Sequence, residues 1–289
     1  MKKNILVTGS NGQLGQAIRS QAAGCGGATF HFTDVDTLDI RDADRLTALV
    51  RAHQIGWLLN CAAYTAVDRA EDEVETCMSI NCEAVRTVGE VARAEGVRVI
   101  HLSTDYVFDG YAGRPYREDD RPNPLSVYGR SKLVGETALQ QTCPEAVILR
   151  TAWLYSEYGA NFVKTMLRLG SERNEVSVVS DQVGTPTYAG DLAAAILAVT
   201  AHPAFVPGIY HYSGEGRCTW YDFAVKIMAL AGLDCRVRPI AARDWPARAI
   251  RPACSLLDKE KIKRTYQPAV PAWETSLQHC IRVLTHQHA

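Results

Sequence analysis

The segment NILVTGSNGQLG at residues 4–15 decides the fold of this chain. Its apolar start predicts a strand at residues 4–8, and the spacing after it predicts a helix to about residue 23. Gly9 allows a tight turn between the two, Gly12 lets a pyrophosphate approach the backbone, and Gly15 lets helix and strand pack closely. The N-terminus of the helix offers free N–H groups to phosphates. The segment therefore predicts a dinucleotide-binding turn.

A glycine triplet is a weak signal by itself, because a tight strand-to-helix turn without a ligand would also use it. The spacing here is GxxGxxG, not the GxGxxG of many dehydrogenases. Asp34 follows a second predicted strand, where a carboxylate can hydrogen-bond the adenosine ribose. It would disfavour the extra phosphate of NADPH, and no arginine stands immediately beside it. The predicted cofactor is NADPH or NADH, with a turn cap as the alternative role for Asp34.

Predicted strands and helices alternate through the first 180 residues or so. The strands after residue 8 are predicted at residues 29–33, 57–61, 97–103, 146–150 and 176–179, and the helices at residues 42–53, 75–95 and 124–141. Such alternation requires right-handed crossovers and a parallel sheet that is covered on both faces. The predicted fold class is α/β, a doubly wound parallel-sheet Rossmann fold.

The pattern becomes less regular in the last third of the chain, where five prolines interrupt it. Helices are predicted there at residues 191–200 and 220–231, and a short strand at residues 236–240. We expect a dinucleotide-binding core at residues 1–150, to which residues 162–200 return. We expect residues 151–161 and 201–289 to form most of a smaller, mixed substrate-binding lobe.

Composition narrows the class of protein. Of the 289 residues, 47% are hydrophobic and 22% are charged, which is ordinary for a soluble globular protein. The net charge of -1 gives no indication that the chain binds nucleic acid or a membrane. The nine cysteines are scattered, with no CxxC and no zinc-ligand spacing, so we expect reduced thiols and a cytoplasmic location. The short apolar run at residues 5–7 is too short for a signal or membrane segment.

Tyr128 and Lys132 are four residues apart in a predicted helix, so both side chains face the same side. A tyrosine is a poor acid at neutral pH, but a nearby ammonium favours the phenolate and lowers the pKa of the phenol. The pair is therefore a candidate proton donor. An ordinary surface pair is the alternative, since this spacing is common.

Two further segments lie where strands of the predicted sheet end. Ser103, Thr104 and Asp105 end the strand at residues 97–103, at the sheet edge where ligands bind. Thr104 could polarise a substrate carbonyl, and its alternative role is a turn hydroxyl. The small residues at 60–65 could let a cofactor lie against the backbone, or serve only strand–loop packing. Asn81 could hold a water molecule or a helix kink.

Together these motifs resemble those of a known family. They are GxxGxxG at residues 9–15, NCAAYTAVD at 60–68, STDYVFDG at 103–110, YGxxK at 128–132, RTAWLY at 150–155, DQxGxPT at 181–187 and WYDFA at 220–224. The chain is similar to the extended short-chain dehydrogenase/reductases and, within them, to the dTDP-4-dehydrorhamnose reductases. The similarity extends over essentially the whole sequence.

The resemblance implies reduction of the 4-keto group of dTDP-4-dehydro-6-deoxy-L-mannose to dTDP-L-rhamnose. Tyr128 would protonate the forming C4 hydroxyl, with Lys132 and Thr104 as its catalytic partners. Thr104, Asp105, Tyr128 and Trp153 would contact the sugar nucleotide, although an aromatic at position 153 is equally typical of a core. The expected cofactor-binding residues are Gly9, Asn11, Gly12, Gln13, Leu14, Gly15, Asp34, Asp39, Ile40, Ala62, Ala63, Tyr64, Thr65, Ser103, Tyr128 and Lys132.

Some members of the family bind magnesium between two subunits through carboxylates. Ala17 and Gly190 stand where two of those carboxylates are expected, so we predict no such metal site and a monomer or a homodimer. Two alternative functions stay open at this point. One is reduction of another nucleotide 4-keto-sugar, and the other is a non-catalytic regulatory subunit of the methionine adenosyltransferase type.

Overall fold

Six parallel strands form the central sheet of the structure, a computed structural model that describes residues 3–286. The strands of all sheets within these residues are, in chain order, β1 (Lys3–Thr8), β2 (Ala28–Phe32), β3 (Trp57–Asn60), β4 (Arg98–Thr104), β5 (Val147–Thr151), β6 (Leu154–Tyr155), β7 (Glu175–Val179), β8 (Val183–Gly184), β9 (Thr187–Tyr188), β10 (Gly208–His211), β11 (Cys218–Thr219) and β12 (Arg236–Ile240). The helices are α1 (Gln13–Ala22), α2 (Ala43–Ala52), α3 (Val74–Met78), α4 (Ala84–Glu95), α5 (Val127–Thr142), α6 (Phe162–Glu172), α7 (Ala189–Ala201), α8 (Trp220–Ala231), α9 (Glu260–Tyr266) and α10 (Trp273–His286).

The central sheet has the strand order β10-β5-β4-β3-β1-β2. The chain runs from β1 to β2 on one side, then returns to place β3 on the other side of β1. Ligands of open α/β sheets bind beyond the carboxyl ends of the strands at such a reversal. The glycine turn follows β1 and the loop at residues 61–66 follows β3, so both lie at this point. The doubly wound parallel sheet predicted from the sequence is confirmed.

Both faces of the sheet are covered, which explains why its strands are apolar at successive positions. Ile5 and Val7 of β1 belong to a buried cluster with residues of α1 and α7. Leu6, whose side chain points to the opposite face, belongs to a second cluster with residues of α2, α4 and α5. The core therefore consists of two apolar layers, one on each side of the sheet.

The helix predicted over residues 75–95 is interrupted in the structure. A π-helical segment at Ser79–Glu83 separates α3 from α4, and Gly96, with φ of +68°, ends α4. Asn81 lies in this π segment and is completely buried. Single π turns of this kind are frequent at functional sites.

The second lobe differs in its boundaries from the sequence-based expectation. α6 and β7 do not return to the central sheet, because β7 pairs with β12 and residues of α6 pack with α8 and α10 in a separate apolar cluster. Within residues 162–200, α7 makes the return, since its residues pack against the sheet and α1. β10, expected in the lobe, extends the central sheet beside β5.

Candidate active site

A cleft of about 780 Å³ opens at the carboxyl edge of the central sheet. Its walls come from the glycine turn, the ends of β2 to β5, helix α5 and the start of the second lobe. The lining includes the predicted residues Gly9, Gly12, Gln13, Leu14, Gly15, Asp34, Asp39, Ile40, Ala62, Ala63, Thr65, Ser103, Thr104, Asp105, Tyr128, Lys132 and Trp153. Asn11 and Tyr64 do not belong to this lining.

The glycine turn is shaped for close backbone approach. Gly9 has φ of +65°, and a Cβ atom there would lie 2.6 Å from the backbone nitrogen of Ala62. A Cβ atom on Gly15 would lie 2.5 Å from the carbonyl oxygen of Gly9. Gly12 caps α1 without a side-chain hydrogen bond, so the first N–H groups of the helix are left for a ligand. These features fit the phosphates of a dinucleotide.

Asp34 joins the glycine turn to the end of β2. Its carboxylate accepts hydrogen bonds from the backbone N–H of Asn11 at 2.8 Å and of Val35 at 2.8 Å. Asn11, predicted to bind the cofactor, contacts Asp34 through its backbone N–H in the structure. The carboxylate still lines the cleft, so the turn-cap role and the cofactor role are compatible.

Arg41 is a residue of this region that the sequence reasoning missed. It lines the cleft with Asp34 and Asp39, and its Nη2 lies 2.6 Å from Oδ2 of Asp39. The guanidinium holds the pKa of Asp39 below its usual value through this hydrogen bond. Arg41 does not stand beside Asp34 in the sequence, but the loop brings it to the same part of the cleft from seven positions later.

The loop after β3 is fixed by the π segment. Oδ1 of Asn81 accepts a hydrogen bond from the Tyr64 N–H at 2.9 Å, and its Nδ2 donates to the Tyr64 carbonyl at 3.0 Å. The Tyr64 hydroxyl donates a hydrogen bond to the carboxylate of Glu73, the residue before α3, at 2.7 Å, which fixes the Tyr64 side chain. Asn81, which lies in the segment that interrupts the predicted helix, thus also holds the loop directly.

Tyr128 and Lys132 lie in the first turns of α5 and face the cleft together. Ser126 caps this helix by accepting a hydrogen bond from the Gly129 N–H at 3.1 Å, which fixes where the helix begins. Nζ of Lys132 donates to the Leu102 carbonyl at 2.6 Å. Burial lowers the pKa of Lys132 to about 8, against the opposing attraction of Glu136.

The expected lowering of the Tyr128 pKa is wrong for this arrangement. Burial raises the pKa of the Tyr128 phenol above its usual value, and a hydrogen bond with Thr104 only partly opposes this. The phenol is therefore protonated at neutral pH, as a proton donor must be. Thr104 is also fixed by its neighbours, because its hydroxyl accepts from the Tyr106 N–H at 3.2 Å and donates to Asp105 at 3.1 Å.

Asp105 is a carboxylate with an unused oxygen. Its side chain is 2% exposed, and its Oδ2 has no hydrogen-bond partner within residues 3–286. Burial raises the pKa of Asp105 to about 6. A buried polar atom without a partner is rare in native structures, and Asp105 is one of the residues that line the cleft.

Ser103 has a structural partner that the sequence did not indicate. Its hydroxyl donates to the buried Glu136, which also forms a bidentate ion pair with Arg150 at 2.6 and 2.9 Å. Both charged side chains of this pair are 2% exposed. Ser103 lines the cleft, but its hydroxyl is committed to this pair, which joins β4, α5 and β5 beneath the site.

Trp153 is held in a backbone conformation that bulky residues rarely adopt, with φ of +48°. Its ring reaches the cleft and stacks on Trp220 with the ring centroids 3.6 Å apart. Gly184 makes room for this ring, since a Cβ atom there would lie 2.5 Å from it. Such strain persists only where surrounding structure enforces it, which is typical of functional sites.

Neither a metal centre nor a membrane span is found in the part of the chain described here. Residues 3–286 contain no cluster of three or more His, Cys, Asp and Glu side chains arranged to hold a metal ion. Within the same residues, no helix is both long enough and apolar enough to cross a membrane.

Comparison with known proteins places the chain in a family. Residues 1–286 match the RmlD substrate binding domain. The chain is 40% identical to a dTDP-4-dehydrorhamnose reductase of Sinorhizobium fredii, with 97% of each chain covered. It is 39% identical to a probable dTDP-4,6-dihydroxy-2-methyloxan-3-one 4-ketoreductase of Streptomyces antibioticus, covering 94% of this chain and 92% of the relative.

A solved structure gives the same assignment. The crystal structure of dTDP-4-dehydrorhamnose reductase from Bacillus anthracis in complex with NADP superimposes with a TM-score of 0.94 and 36% identity, covering 98% of this chain and all of that one. Since sequence and fold agree over nearly the full length, the chain belongs to the RmlD substrate binding domain family, which includes these dTDP-4-dehydrorhamnose reductases.

Proposed function

We propose that this chain reduces the 4-keto group of dTDP-4-dehydro-6-deoxy-L-mannose with NADPH or NADH and forms dTDP-L-rhamnose, the last step of dTDP-rhamnose synthesis. One observation carries the proposal: the glycine turn and the Tyr128–Lys132–Thr104 group face one cleft. The family membership and the names of the relatives support the substrate class.

The residues of the cleft divide the reaction between them. Gly9, Gly12 and Gly15 would receive the phosphates of the dinucleotide, which supplies the hydride to C4 of the sugar when bound. Thr104 would turn its one hydroxyl hydrogen from Asp105 to the 4-keto oxygen and so polarise the carbonyl. Tyr128 donates its proton to that oxygen as the hydride arrives, so the carbonyl gains one hydride and one proton.

Lys132 and the second lobe complete the site. In its protonated form, Lys132 favours the phenolate that forms after proton transfer. Trp153 and Asp105 both line the cleft and are the residues that would contact the sugar. We propose that the second lobe, through α8 and the loops around Trp153, holds the sugar nucleotide.

The cofactor choice follows from two opposite charges. Asp34 favours the free ribose of NADH, whereas Arg41 could pair with the 2′-phosphate of NADPH. The relative from Bacillus anthracis was solved with NADP. We propose that both cofactors are accepted.

The nine cysteines are all free thiols, which supports the cytoplasmic location expected from the sequence.

A reductase acting on a related 4-keto-sugar is the second candidate, because the Streptomyces antibioticus relative carries such a name at 39% identity. The test is oxidation of NADPH and of NADH by the purified protein with dTDP-4-dehydro-6-deoxy-L-mannose, followed by NMR analysis of the product. Formation of dTDP-L-rhamnose supports the proposal. Turnover of only another dTDP-4-keto-sugar favours the second candidate, and no turnover of any favours a non-catalytic subunit.

A further inference from the structure

His101 lies in a buried hydrogen-bond chain behind the catalytic pair. It is in the middle of β4, with no exposed surface. Its Nδ1 lies 3.1 Å from Nδ2 of Asn60, at the end of β3, and its Nε2 lies 3.5 Å from Nζ of Lys132. The imidazole therefore joins the neighbouring strand to the catalytic lysine from the side opposite the cleft.

The orientation of the Asn60 amide fixes the proton on this imidazole. The Ala62 N–H at 3.2 Å and the Thr8 hydroxyl at 2.8 Å both point at Oδ1 of Asn60. A backbone N–H can only donate, so the atom it faces must be the amide oxygen. The Asn60 NH₂ group then donates to Nδ1 of His101. A neutral imidazole has a single N–H, which must therefore be on Nε2.

The Nε2–H consequently faces the Lys132 nitrogen. A neutral amine has a lone pair that can accept this hydrogen, whereas an ammonium has none and presents its own hydrogens. Nζ already donates a hydrogen bond to the Leu102 carbonyl at 2.6 Å. A neutral amine would therefore donate one hydrogen bond here and accept another from the His101 Nε2–H. Resting on the proposed reductase function, we propose that His101, held by Asn60 as the Nε2–H tautomer, is a positioning residue that favours the neutral amine of Lys132.

The other groups around Lys132 do not replace this effect. Glu136, one turn later on α5, favours the ammonium, as do the thiols of Cys61 and Cys77 if they ionise. Burial, like the proposed effect of His101, favours the neutral amine, and burial lowers the Lys132 pKa to about 8. Burial and Lys132 both lower the pKa of His101 well below its usual value, which keeps the ring neutral.

The consequence concerns how Tyr128 regains its proton. A lysine whose two protonation states are close in free energy near neutral pH can lose a proton and recover it within one turnover. The phenolate left after reduction takes up a proton that Lys132 passes on, and solvent returns one to Lys132. A lysine with an unperturbed pKa of about 10 would release that proton far less readily.

The tautomer is tested first in the wild-type protein, by ¹⁵N NMR of histidine-labelled enzyme. The expected result is a His101 with unprotonated Nδ1 and protonated Nε2 throughout the pH range of activity. A protonated Nδ1, or a doubly protonated ring, overturns the proposal. This measurement needs no turnover, so its failure is distinct from a failure of the proposed reductase function.

Asn60→Asp then tests the effect on Lys132 without changing the side-chain shape. The carboxylate still accepts from Thr8 and Ala62 but now also accepts from His101, so the proton moves to Nδ1 and Nε2 becomes an acceptor for the ammonium. Activity that needs the ammonium is lost as pH rises through the Lys132 pKa. We therefore expect the alkaline limb of the kcat profile to move to higher pH by about one unit, with Nδ1 of His101 protonated in the ¹⁵N spectrum of the variant. A moved limb with the proton still on Nε2 reports only the charge of the added carboxylate and contradicts the proposal.

Thr8→Val is the matched control, because it removes one hydrogen bond to Asn60 and leaves the Ala62 N–H in place. It should preserve the wild-type tautomer and the position of the alkaline limb. An Asn60→Asp enzyme whose activity falls equally at every pH, with an unmoved limb, shows a merely structural role and contradicts the proposal. So does a Thr8→Val enzyme that shows the same limb shift.

Discussion

Trp153 and Trp220 stack almost in parallel, with ring centroids 3.6 Å apart and an angle of 10° between the planes. One ring belongs to the wall of the cleft and the other begins α8 of the second lobe. The stack supports the left-handed backbone of Trp153, at φ of +48°. Trp220 therefore contributes to the site by fixing the orientation of the Trp153 ring.

Replacement of Trp220 should act mainly on substrate binding. Trp220→Ala removes the ring that orients Trp153, so the KM for the sugar nucleotide is expected to rise roughly two- to tenfold while kcat changes less. Steady-state kinetics with the 4-keto sugar varied measures this. Trp220→Phe keeps a stacking partner and should stay near the wild type. An unchanged KM in Trp220→Ala would separate the stack from substrate recognition.

Opposite changes in cofactor preference are expected at Asp34 and Arg41. Arg41→Ala should lower kcat/KM for NADPH by about tenfold and leave NADH nearly unaffected, because a guanidinium pairs with the 2′-phosphate alone. Asp34→Ala should raise the NADPH-to-NADH ratio, because it removes a carboxylate that hydrogen-bonds a free ribose. The measurement is kcat/KM with each cofactor. An unchanged ratio in Asp34→Ala would exclude Asp34 from cofactor choice.

The buried pair of Arg150 and Glu136 should be costly to break. Glu136→Gln leaves the guanidinium uncompensated in the interior, and we expect a loss of about 3–5 kcal/mol in the free energy of unfolding, measured by urea denaturation. The exposed pair of Arg168 and Glu172, 60% and 50% exposed, is the matched control. Glu172→Gln should cost less than about 1 kcal/mol. Equal losses in the two variants would refute this account of the buried pair.

Asp105 should lower stability at neutral pH in exchange for activity. Burial raises its pKa to about 6, so the folded protein holds this proton more tightly than the unfolded chain. The contribution to stability is complete below the unfolded pKa of about 3.9 and is lost as pH rises through the folded pKa. Asp105→Asn is therefore expected to stabilise the protein by about 2 kcal/mol at pH 7 and much less at pH 4.

Thermal unfolding of wild type and Asp105→Asn at the two pH values checks this prediction. The variant should also have a lower kcat/KM, because an amide nitrogen replaces one oxygen that could accept from the sugar. An Asp105→Asn enzyme with equal stability gains at both pH values would show that the buried charge is not the cause.

The sequence was sufficient for the central parallel sheet, because local patterns and the fold agree there, but it did not give the boundaries of the second lobe. The turn at Gly9, the apolar strands and the YxxxK spacing each constrain local geometry, and a parallel sheet collects strand ends at one edge. Thr104, Tyr128 and Lys132 could therefore be expected in one cleft, and the structure places them there.

Features that depend on distant contacts were not predictable from the sequence. The hydrogen bonds of Asn81 to Tyr64, the His101 chain and the commitment of Ser103 to Glu136 join residues 17 to 41 positions apart. No periodicity encodes such pairs. The direction of the Tyr128 pKa shift was also missed, because burial, which raises this pKa, is a property of the folded protein.

The most direct test of the central claim is the kcat of Tyr128→Phe for reduction of dTDP-4-dehydro-6-deoxy-L-mannose with NADPH. The substitution removes only the hydroxyl that donates the proton, so the fold and cofactor binding should persist. We expect kcat to fall by roughly 10²- to 10⁴-fold relative to the wild type. A Tyr128→Phe enzyme that keeps kcat within a few-fold of the wild type on this substrate would contradict the account.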